Sequence, residues 1–302
     1  MSLGCKCDSG LSNTGTPNCV TLQSVTSKLI MVPLEDATGT KNFIDLTSAP
    51  TVASLTALIN QSDATKRWFP LPVFEKVELP KADSTFEEAP SGRKLFIKQG
   101  KRSFTGELWN GATQLLGKIQ NNRCVEFGVY IVDVNGNLVG SKDGTKLYPI
   151  PVDNQSFDAK MMFATDTTVQ KIMIGFDFYR LFDESTMWMI TSDELNGDFN
   201  SFEGLLDVEL SKVSSTVTTL VLDAVLDYGT ALNPIKVLGL VSADFTLKNT
   251  TTGVTIAISG VVAGTGVNAN RYTLTFATQT LLTPLTVLVQ KTGYVGNLNT
   301  PL

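Results

Sequence analysis

The sequence predicts a mainly β protein: an antiparallel β barrel or sandwich with one or two short helices, followed by a second, smaller β-sandwich. Cys124–Gly140 alternates in hydrophobicity around Asn135-Gly136. This is the strongest short signal for a β-hairpin, because both turn residues tolerate positive φ. Lys171–Tyr179 alternates in the same way. From Val213 onward, short strands recur between turns, a pattern typical of a small antiparallel sandwich.

The other elements follow from local patterns. Thr51–Asn60 and Gly111–Gln120 carry apolar residues at helical spacing. Pro80–Gly92 is polar and acidic, which predicts a linker, and Leu195–Gly204 ends the first domain with two exposed Phe residues. Further strands are predicted at Lys28–Leu34, Lys41–Leu46, Val73–Leu79, Arg93–Ile97, Ser103–Trp109, Gln155–Ala164 and Thr186–Thr191. The predicted domains are an arm at 1–27, a β domain at 28–212 and a sandwich at 213–302.

Composition excludes several functions. The 302 residues suffice for two domains, and the formal net charge of -5 does not favour nucleic-acid binding. The chain has no His, which rules out His-dependent triads, Cys–His proteases and His-containing zinc sites. Adjacent carboxylates at Glu87-Glu88, Asp183-Glu184 and Asp193-Glu194 point apart on an extended chain, so they predict solvated loops rather than an acid/base pair. No catalytic residue and no cofactor is predicted.

The cysteines leave three interpretations open. Cys5, Cys7 and Cys19 lie in a turn-rich N-terminal stretch. They are free thiols of a partly ordered arm in a reducing cytoplasm, or part of a disulfide or a docking loop ordered by a neighbouring subunit, or a thiolate metal site. The last interpretation needs a fourth ligand, which Cys124 supplies only if the arm folds back.

Two motifs imitate ion or phosphate sites. Gly111 to Lys118 resembles a phosphate loop, but the glycine spacing is wrong and Ile119 follows the lysine where a hydroxyl is needed. Asp133–Asn137 imitates the start of a calcium loop, yet the later Gly and Glu positions are occupied by Leu138 and Gly144. The hairpin turn explains this second motif.

Two regions resemble known proteins. Val213–Leu302 resembles an immunoglobulin-like module of the bacterial and phage type, without the antibody Cys pair and core Trp. The resemblance is carried by Asp244–Leu247, Thr252–Ile256, Asn270–Phe276 and Lys291–Tyr294. Lys28–Leu210 resembles tail-tube and tail-ring subunits of tailed phages in its strand–turn–strand opening, its helix Gly111–Gln120 and its long hairpin. The stretch Leu11–Cys19 is similar to structural proteins of Bacteroidota phages, including the crAss-like group.

This resemblance implies a structural virion protein of the tail, made in the host cytoplasm. It implies copies in a six-fold or twelve-fold ring, contacts with neighbouring tail, portal or ring proteins, DNA only as passing cargo, and no membrane. Candidate interface residues are Trp68, Phe69, Trp109, Met187 and Trp188, and for each of them a place in the domain core is the alternative. The competing function is a surface adhesin or carbohydrate-binding protein. It requires export, and the sequence carries no visible secretory signal.

Overall fold

The structure, a computed structural model, describes residues 14–16, 20–109, 111–230 and 232–302. Strands hold 49% of the residues and helices 13%, and the sheets form a nearly closed barrel and sandwich-like layers. The prediction of a mainly β fold is therefore confirmed. In the described part of the chain, no helix is both long and apolar enough to cross a membrane.

The first part of the chain forms the barrel and its outer layers. Its strands are β1 (Thr26–Pro33), β2 (Ile44–Asp45), β3 (Phe69–Pro70), β4 (Lys76–Glu78), β5 (Thr85–Glu88), β6 (Lys94–Lys98), β7 (Ser103–Leu108), β8 (Phe127–Asp133), β9 (Leu138–Asp143), β10 (Lys146–Tyr148), β11 (Ile150–Met162), β12 (Lys171–Phe178) and β13 (Met187–Ile190). Its α-helices are α1 (Val52–Ile59), α2 (Thr113–Gln120) and α3 (Ser192–Leu195). Short 3-10 turns lie at Asn121–Cys124, Glu184–Thr186 and Phe199–Ser201.

The barrel wall runs through β8, β11, β12, β7 and β4, and β1 pairs with the other edge of β8. The wall then has one gap, between β1 and β4, which the chain segment between β3 and β4 bridges. Leu71 N–H donates to the Leu29 carbonyl at 2.9 Å. Phe74 N–H donates to the Ser27 carbonyl at 2.8 Å. Because β4 then pairs with β7, the sheet comes close to closing on itself.

The inside of this barrel is filled with side chains. Phe104 and Phe176 stack at 4.9 Å between ring centroids, and Phe157 packs beside Phe176. Buried residues from every wall strand except β4 join them: Leu29, Met31, Leu108, Phe127, Val129, Ile131, Ile150, Val152, Ile172, Ile174 and Phe178. Ile119 of α2 closes the same core. The barrel therefore holds a packed core rather than a channel.

A second core covers the outer face of β8, so this strand is buried on both sides. Tyr130 points into the outer core, where its hydroxyl donates to the Leu147 carbonyl at 2.8 Å. Phe199 and Phe202 are buried in the same core, which makes the prediction of exposed rings at Leu195–Gly204 wrong. These rings cover β8 after a long excursion of the chain, which a local pattern cannot reveal.

The central hairpin forms as predicted, but its turn differs from the expected two-residue type. Only Gly136 has positive φ, at 75°. The Asp133 carboxylate accepts hydrogen bonds from the main-chain N–H groups of Asn135 and Asn137, both at 2.9 Å. This local bonding holds a wider turn between β8 and β9.

The second part of the chain is a nine-stranded sandwich-like unit. Its strands are β14 (Leu206–Ser215), β15 (Thr219–Thr230), β16 (Asn233–Lys236), β17 (Phe245–Asn249), β18 (Thr255–Ile256), β19 (Ile258–Ala263), β20 (Arg271–Phe276), β21 (Pro284–Lys291) and β22 (Tyr294–Pro301), with 3-10 turns at Ser242–Asp244 and Gly266–Asn268. The unit begins at β14, ahead of residue 213, and β14 runs parallel to β22. Lys118 of α2 reaches it with ion pairs to Asp207 at 2.7 Å and Asp227 at 3.3 Å.

Candidate interaction surfaces

The predicted interface residues lie in different places. Trp68 is only 2% exposed and packs against Tyr130 at 5.0 Å, so it belongs to the outer core of its own domain. Phe69 lies on β3 at the surface, and Trp109 follows β7 with 46% of its side chain exposed. Met187 is partly buried beside the barrel core. The structure therefore does not bring these five residues into one patch.

Trp188 lies on the short edge strand β13, which pairs only with β9 in the described part of the chain. Its ring is 53% exposed, and the Lys142 ammonium lies 3.8 Å from the ring centroid. An edge strand with an unpaired side is a surface on which another chain can pair. The cation over the ring reduces the apolar surface that Trp188 itself offers.

The thiolate site falls largely outside what the structure describes. Cys5, Cys7 and Cys19 lie outside the described residues. Cys124 is exposed at the end of a 3-10 turn and has no disulfide partner among the described residues. No cluster of acidic or cysteine side chains with metal-binding geometry occurs within those same residues.

A β-hairpin of the first domain exposes a group of apolar side chains. Among the described strands, β5 and β6 pair only with each other, and every residue of both is exposed. Phe86 lies opposite Phe96, and their rings meet edge to face at 5.8 Å. These rings are 54% and 49% exposed. The linker predicted at Pro80–Gly92 thus contains a strand, because a cross-strand aromatic pair holds the hairpin despite its acidic composition.

The base of this hairpin is fixed by ion pairs. Glu184 accepts from Lys81 at 2.7 Å and from Arg102 at 2.8 Å, on either side of the base. The hydrogen bond from Arg102 and then that from Lys81 lower the pKa of Glu184, although its partial burial acts in the opposite direction. Lys101 and Ser103 both bond to Asp177 of β12. The hairpin therefore has an anchored base, and its two strands have no further strand partner in the described chain.

An open apolar pocket lies beside the last residues of β1, near Pro33. It has a volume of about 440 Å³ and is lined by Met31, Val32, Pro33, Phe69, Val125 and Phe127. Glu35 and Glu126 also line it, and both are exposed. Neither carboxylate forms an ion pair within the described residues. The pocket is thus an apolar hollow with two exposed carboxylates at its margin.

The hairpin and the pocket are separated by the length of β1. Thr26, the first residue of β1, shares a small cavity with Val77 and Leu79 just before the hairpin. Pro33, the last residue of β1, lines the apolar pocket. Eight residues of strand extend over about 23 Å from first to last Cα. The two features therefore lie at opposite ends of the barrel.

No protein-family model, curated protein or solved structure matches the chain. The sequence pattern predicted the strand at Arg93–Ile97 but indicated neither the complete hairpin nor the pocket. The first is hidden by the polar composition of its first strand, and the second is assembled from four separate stretches of chain. The one available signal for the hairpin was Leu95-Phe96-Ile97, an apolar run in a short strand bounded by lysines.

Proposed function

We propose that this chain is a structural virion protein: a subunit of a ring or tube in the tail of a tailed bacteriophage, forming part of the channel that conducts DNA. It is made in the host cytoplasm and acts in the virion, without catalysis and without a cofactor. Its partners are further copies in a six-fold or twelve-fold ring and neighbouring tail, portal or ring proteins. DNA passes as cargo only.

The observation that carries this proposal is the β5–β6 hairpin. A two-stranded hairpin that packs against nothing is at best marginally stable in water. This hairpin nevertheless keeps two aromatic rings and the apolar side chains of Leu95 and Ile97 in solvent, on a base clamped by ion pairs. Clustered exposed apolar side chains mark interaction sites. A subunit of an assembly would bury them against its neighbour.

Three further features support the same proposal. The barrel followed by a sandwich has the domain order of the tail proteins that the sequence resembles. The barrel interior is filled by buried side chains of its wall strands. The formal net charge of -5 suits a channel wall that repels the DNA backbone and lets it slide.

The alternative function, an adhesin or carbohydrate-binding protein, is favoured by Trp109. Its exposed indole is held in place by a 3.1 Å hydrogen bond from its N–H to the Glu107 carboxylate. An exposed, oriented aromatic ring with a polar neighbour offers a flat apolar face and a hydrogen-bonding edge, which suits a sugar. A single ring offers little contact area for a sugar, so this candidate function comes second.

The test is the mass of the full chain in solution, measured by light scattering, with negative-stain images of the same sample. The proposal predicts a discrete oligomer, a multiple of the chain mass, that appears as rings or short tubes. A glycan array on the same preparation tests the alternative. A chain that remains monomeric over its whole soluble range and binds a glycan through Trp109 would contradict the proposal.

A further inference from the structure

The barrel and the sandwich-like unit share no hydrophobic core in the described part of the chain. The buried apolar residues of the sandwich unit form one cluster, which lies between Val208 and Leu302. The buried residues of the two barrel clusters all lie at or before Phe202. The core of the sandwich unit is therefore complete by itself, and a change in the orientation of this unit leaves its core intact.

The covalent connection between the two units is short. Phe202 is buried in the outer core of the barrel, and Leu205 packs against the same core. The next residue, Leu206, already belongs to the sandwich unit, where its N–H donates to the Gly293 carbonyl at 2.9 Å. A hinge needs only a few residues at the end of an element to absorb a change in φ and ψ. The connection thus fixes where the units meet, but it does not fix the rotation between them.

Neutral hydrogen bonds contribute to fixing that rotation. Asn60, at the end of α1, accepts from the Gln290 amide at 2.6 Å through its carbonyl and from the Gly293 N–H at 3.1 Å through its side chain. The Gln114 amide of α2 donates to the Gly229 carbonyl at 3.1 Å. These bonds lie at exposed or half-buried positions, so water can replace either partner and each bond contributes little.

The charged contact is different, because the sandwich unit presents two like charges side by side. Val208 of β14 lies opposite Leu226 of β15 and faces the core, so one residue further along Asp207 lies opposite Asp227 on the outer face. Like charges directly opposite each other destabilise a sheet. Among the described residues, both carboxylates form ion pairs only with Lys118 of the barrel.

The Lys118 ammonium lies between these two carboxylates, at 2.7 Å from Asp207 and 3.3 Å from Asp227. It also lies 4.7 Å from the centroid of the Tyr228 ring. Partial burial acts to lower the pKa of Lys118, but its hydrogen bond to Asp207 and the charge of that carboxylate outweigh burial and raise the pKa. The ammonium therefore stays charged at neutral pH. One cation of the barrel thus offsets a repulsion within the sandwich unit.

We propose that this contact is a latch: Lys118 holds the sandwich unit in one orientation by bridging Asp207 and Asp227, and its release lets the unit turn about the Leu205–Leu206 connection. The latch is made of exposed or half-buried ion pairs, which are individually weak, so its release is reversible. Salt at about 1 M shortens the Debye length to about 3 Å and releases the latch. This inference does not depend on the assembly proposed above.

The first experiment measures the distance between nitroxide labels on the two units by double electron–electron resonance. The full chain carries the labels at T145C and V267C, two exposed positions, and its four natural cysteines are replaced by serine. Labelled chains are diluted with unlabelled chains, so that distances between copies do not contribute. The closed latch predicts one narrow distance at low salt and a broad distribution at about 1 M salt. Circular dichroism verifies that every variant is folded.

The second experiment reverses the charges of the latch. K118E replaces two attractions with two repulsions, so the fraction of released molecules at low salt should rise at least about tenfold. K160E makes the same change of charge at an exposed position of β11 and should leave the distance distribution unchanged. D207K/D227K should release the unit as K118E does, because Lys118 then meets two lysines. The combined variant K118E/D207K/D227K pairs opposite charges again and should restore the narrow distance.

Three results would overturn the latch. A narrow distance in K118E would mean that Lys118 does not hold the orientation. A broad distribution in the combined variant would mean that the charges of these three residues do not hold it. A broad distribution in the natural chain at low salt would mean that the contact does not persist in solution. None of these results bears on self-association, which light scattering measures separately, so the latch and the proposed function can fail independently.

Discussion

The ammonium group of Lys28 donates a 2.6 Å hydrogen bond to the main-chain carbonyl of Phe202, so the first barrel strand is bonded to the chain just before the second domain. A second bond, of 2.7 Å, reaches the Asn200 carbonyl. Burial lowers the pKa of Lys28, and the nearby Glu203 and Asp198 carboxylates partly oppose that shift. Burying a charged lysine costs free energy even when carbonyl groups accept its hydrogen bonds. Here the two bonds fix the place where the chain leaves the barrel.

Replacement of this lysine should destabilise the first domain. Lys28→Met keeps the apolar stem but leaves two carbonyl oxygens without their donor, at a cost of about 1–3 kcal/mol in the free energy of unfolding. Urea denaturation followed by fluorescence gives that value. Lys160→Met on the exposed face of β11 is the control and should shift it by less than about 0.5 kcal/mol. Equal effects of the two substitutions would contradict the structural role of Lys28.

The turn between β8 and β9 should make stability depend on acid pH. Burial opposes the charge of Asp133, but hydrogen bonds from Ser24, Asn137 and Asn135 outweigh it and lower its pKa below 3.8. A group with a lowered folded pKa contributes stability above its unfolded pKa, and that contribution is lost as pH falls through the folded pKa. Asp133→Asn should cost about 1–3 kcal/mol at pH 7.

The difference in unfolding free energy between the natural chain and Asp133→Asn should narrow as pH drops below 3.8. Urea melts at neutral pH and at a series of acid pH values measure it. Asp143→Asn, which removes an exposed carboxylate at the far end of β9, serves as the matched control. A constant difference across the acid range would mean that the carboxylate charge of Asp133 is not what the turn requires.

Tyr130 should resist ionisation in the folded protein. Burial raises its pKa well above 10, although a main-chain hydrogen bond acts in the opposite direction. Because the folded pKa is raised, its contribution to stability is complete below pH 10 and is lost as pH rises from there toward the folded value. Tyr130→Phe should therefore leave the ultraviolet titration of the native protein unchanged and remove one phenolate from the titration in urea.

The same substitution leaves the Leu147 carbonyl without its donor and should cost about 1–2 kcal/mol at neutral pH. Tyr179→Phe, at an exposed position, is the comparison variant. If Tyr130→Phe removes a phenolate from the native titration, then Tyr130 is accessible to hydroxide and the outer core is looser than its packing indicates.

Two glycines on neighbouring barrel strands should respond differently to an added methyl group. A Cβ at Gly106 would lie 2.6 Å from the Phe74 ring and 2.7 Å from the Phe104 ring. Phe104 is stacked on Phe176 and has no room to move away. Gly106→Ala should therefore destabilise by about 1–3 kcal/mol, as overpacking does.

Gly175→Ala is the control for this prediction, because the nearest atom to its added Cβ would be 3.7 Å away. Replacing a glycine in a strand can then stabilise the folded protein by up to about 1 kcal/mol, because the substitution lowers the conformational entropy of the unfolded chain. Thermal unfolding ranks the two variants and the natural protein. If Gly106→Ala melts at or above the temperature of Gly175→Ala, the barrel interior is not filled as described.

Strands with clean alternation were predictable from the sequence. The two faces of β8 and β12 follow from a period of two, since Phe127, Val129 and Ile131 do face one core and Tyr130 faces the other way. The helix at Thr113–Gln120 follows from helical spacing in the same manner. These elements depend on neighbours in sequence, which a local pattern records.

Features that depend on distant contacts were not predictable. The second core over β8 forms because Phe199 and Phe202 return to it late in the chain, and no local pattern marks their destination. Trp68 was a candidate interface residue with the domain core as its alternative, and it is buried against Tyr130 in that core. The apolar pocket combines four stretches, around Met31, Thr65, Phe69 and Val125, so its existence depends on how the barrel closes.

The packed barrel core has a mechanical consequence. Interiors of this density have low compressibility, so the barrel of each copy transmits force along its axis with little deformation. The same packing means that nothing passes through the axis of a single barrel. In the assembly that we propose, any conduit lies between copies, and the outer faces of their sheets form its wall. The diameter of the conduit then depends on how many copies surround it. It can change without any change in the fold of one copy.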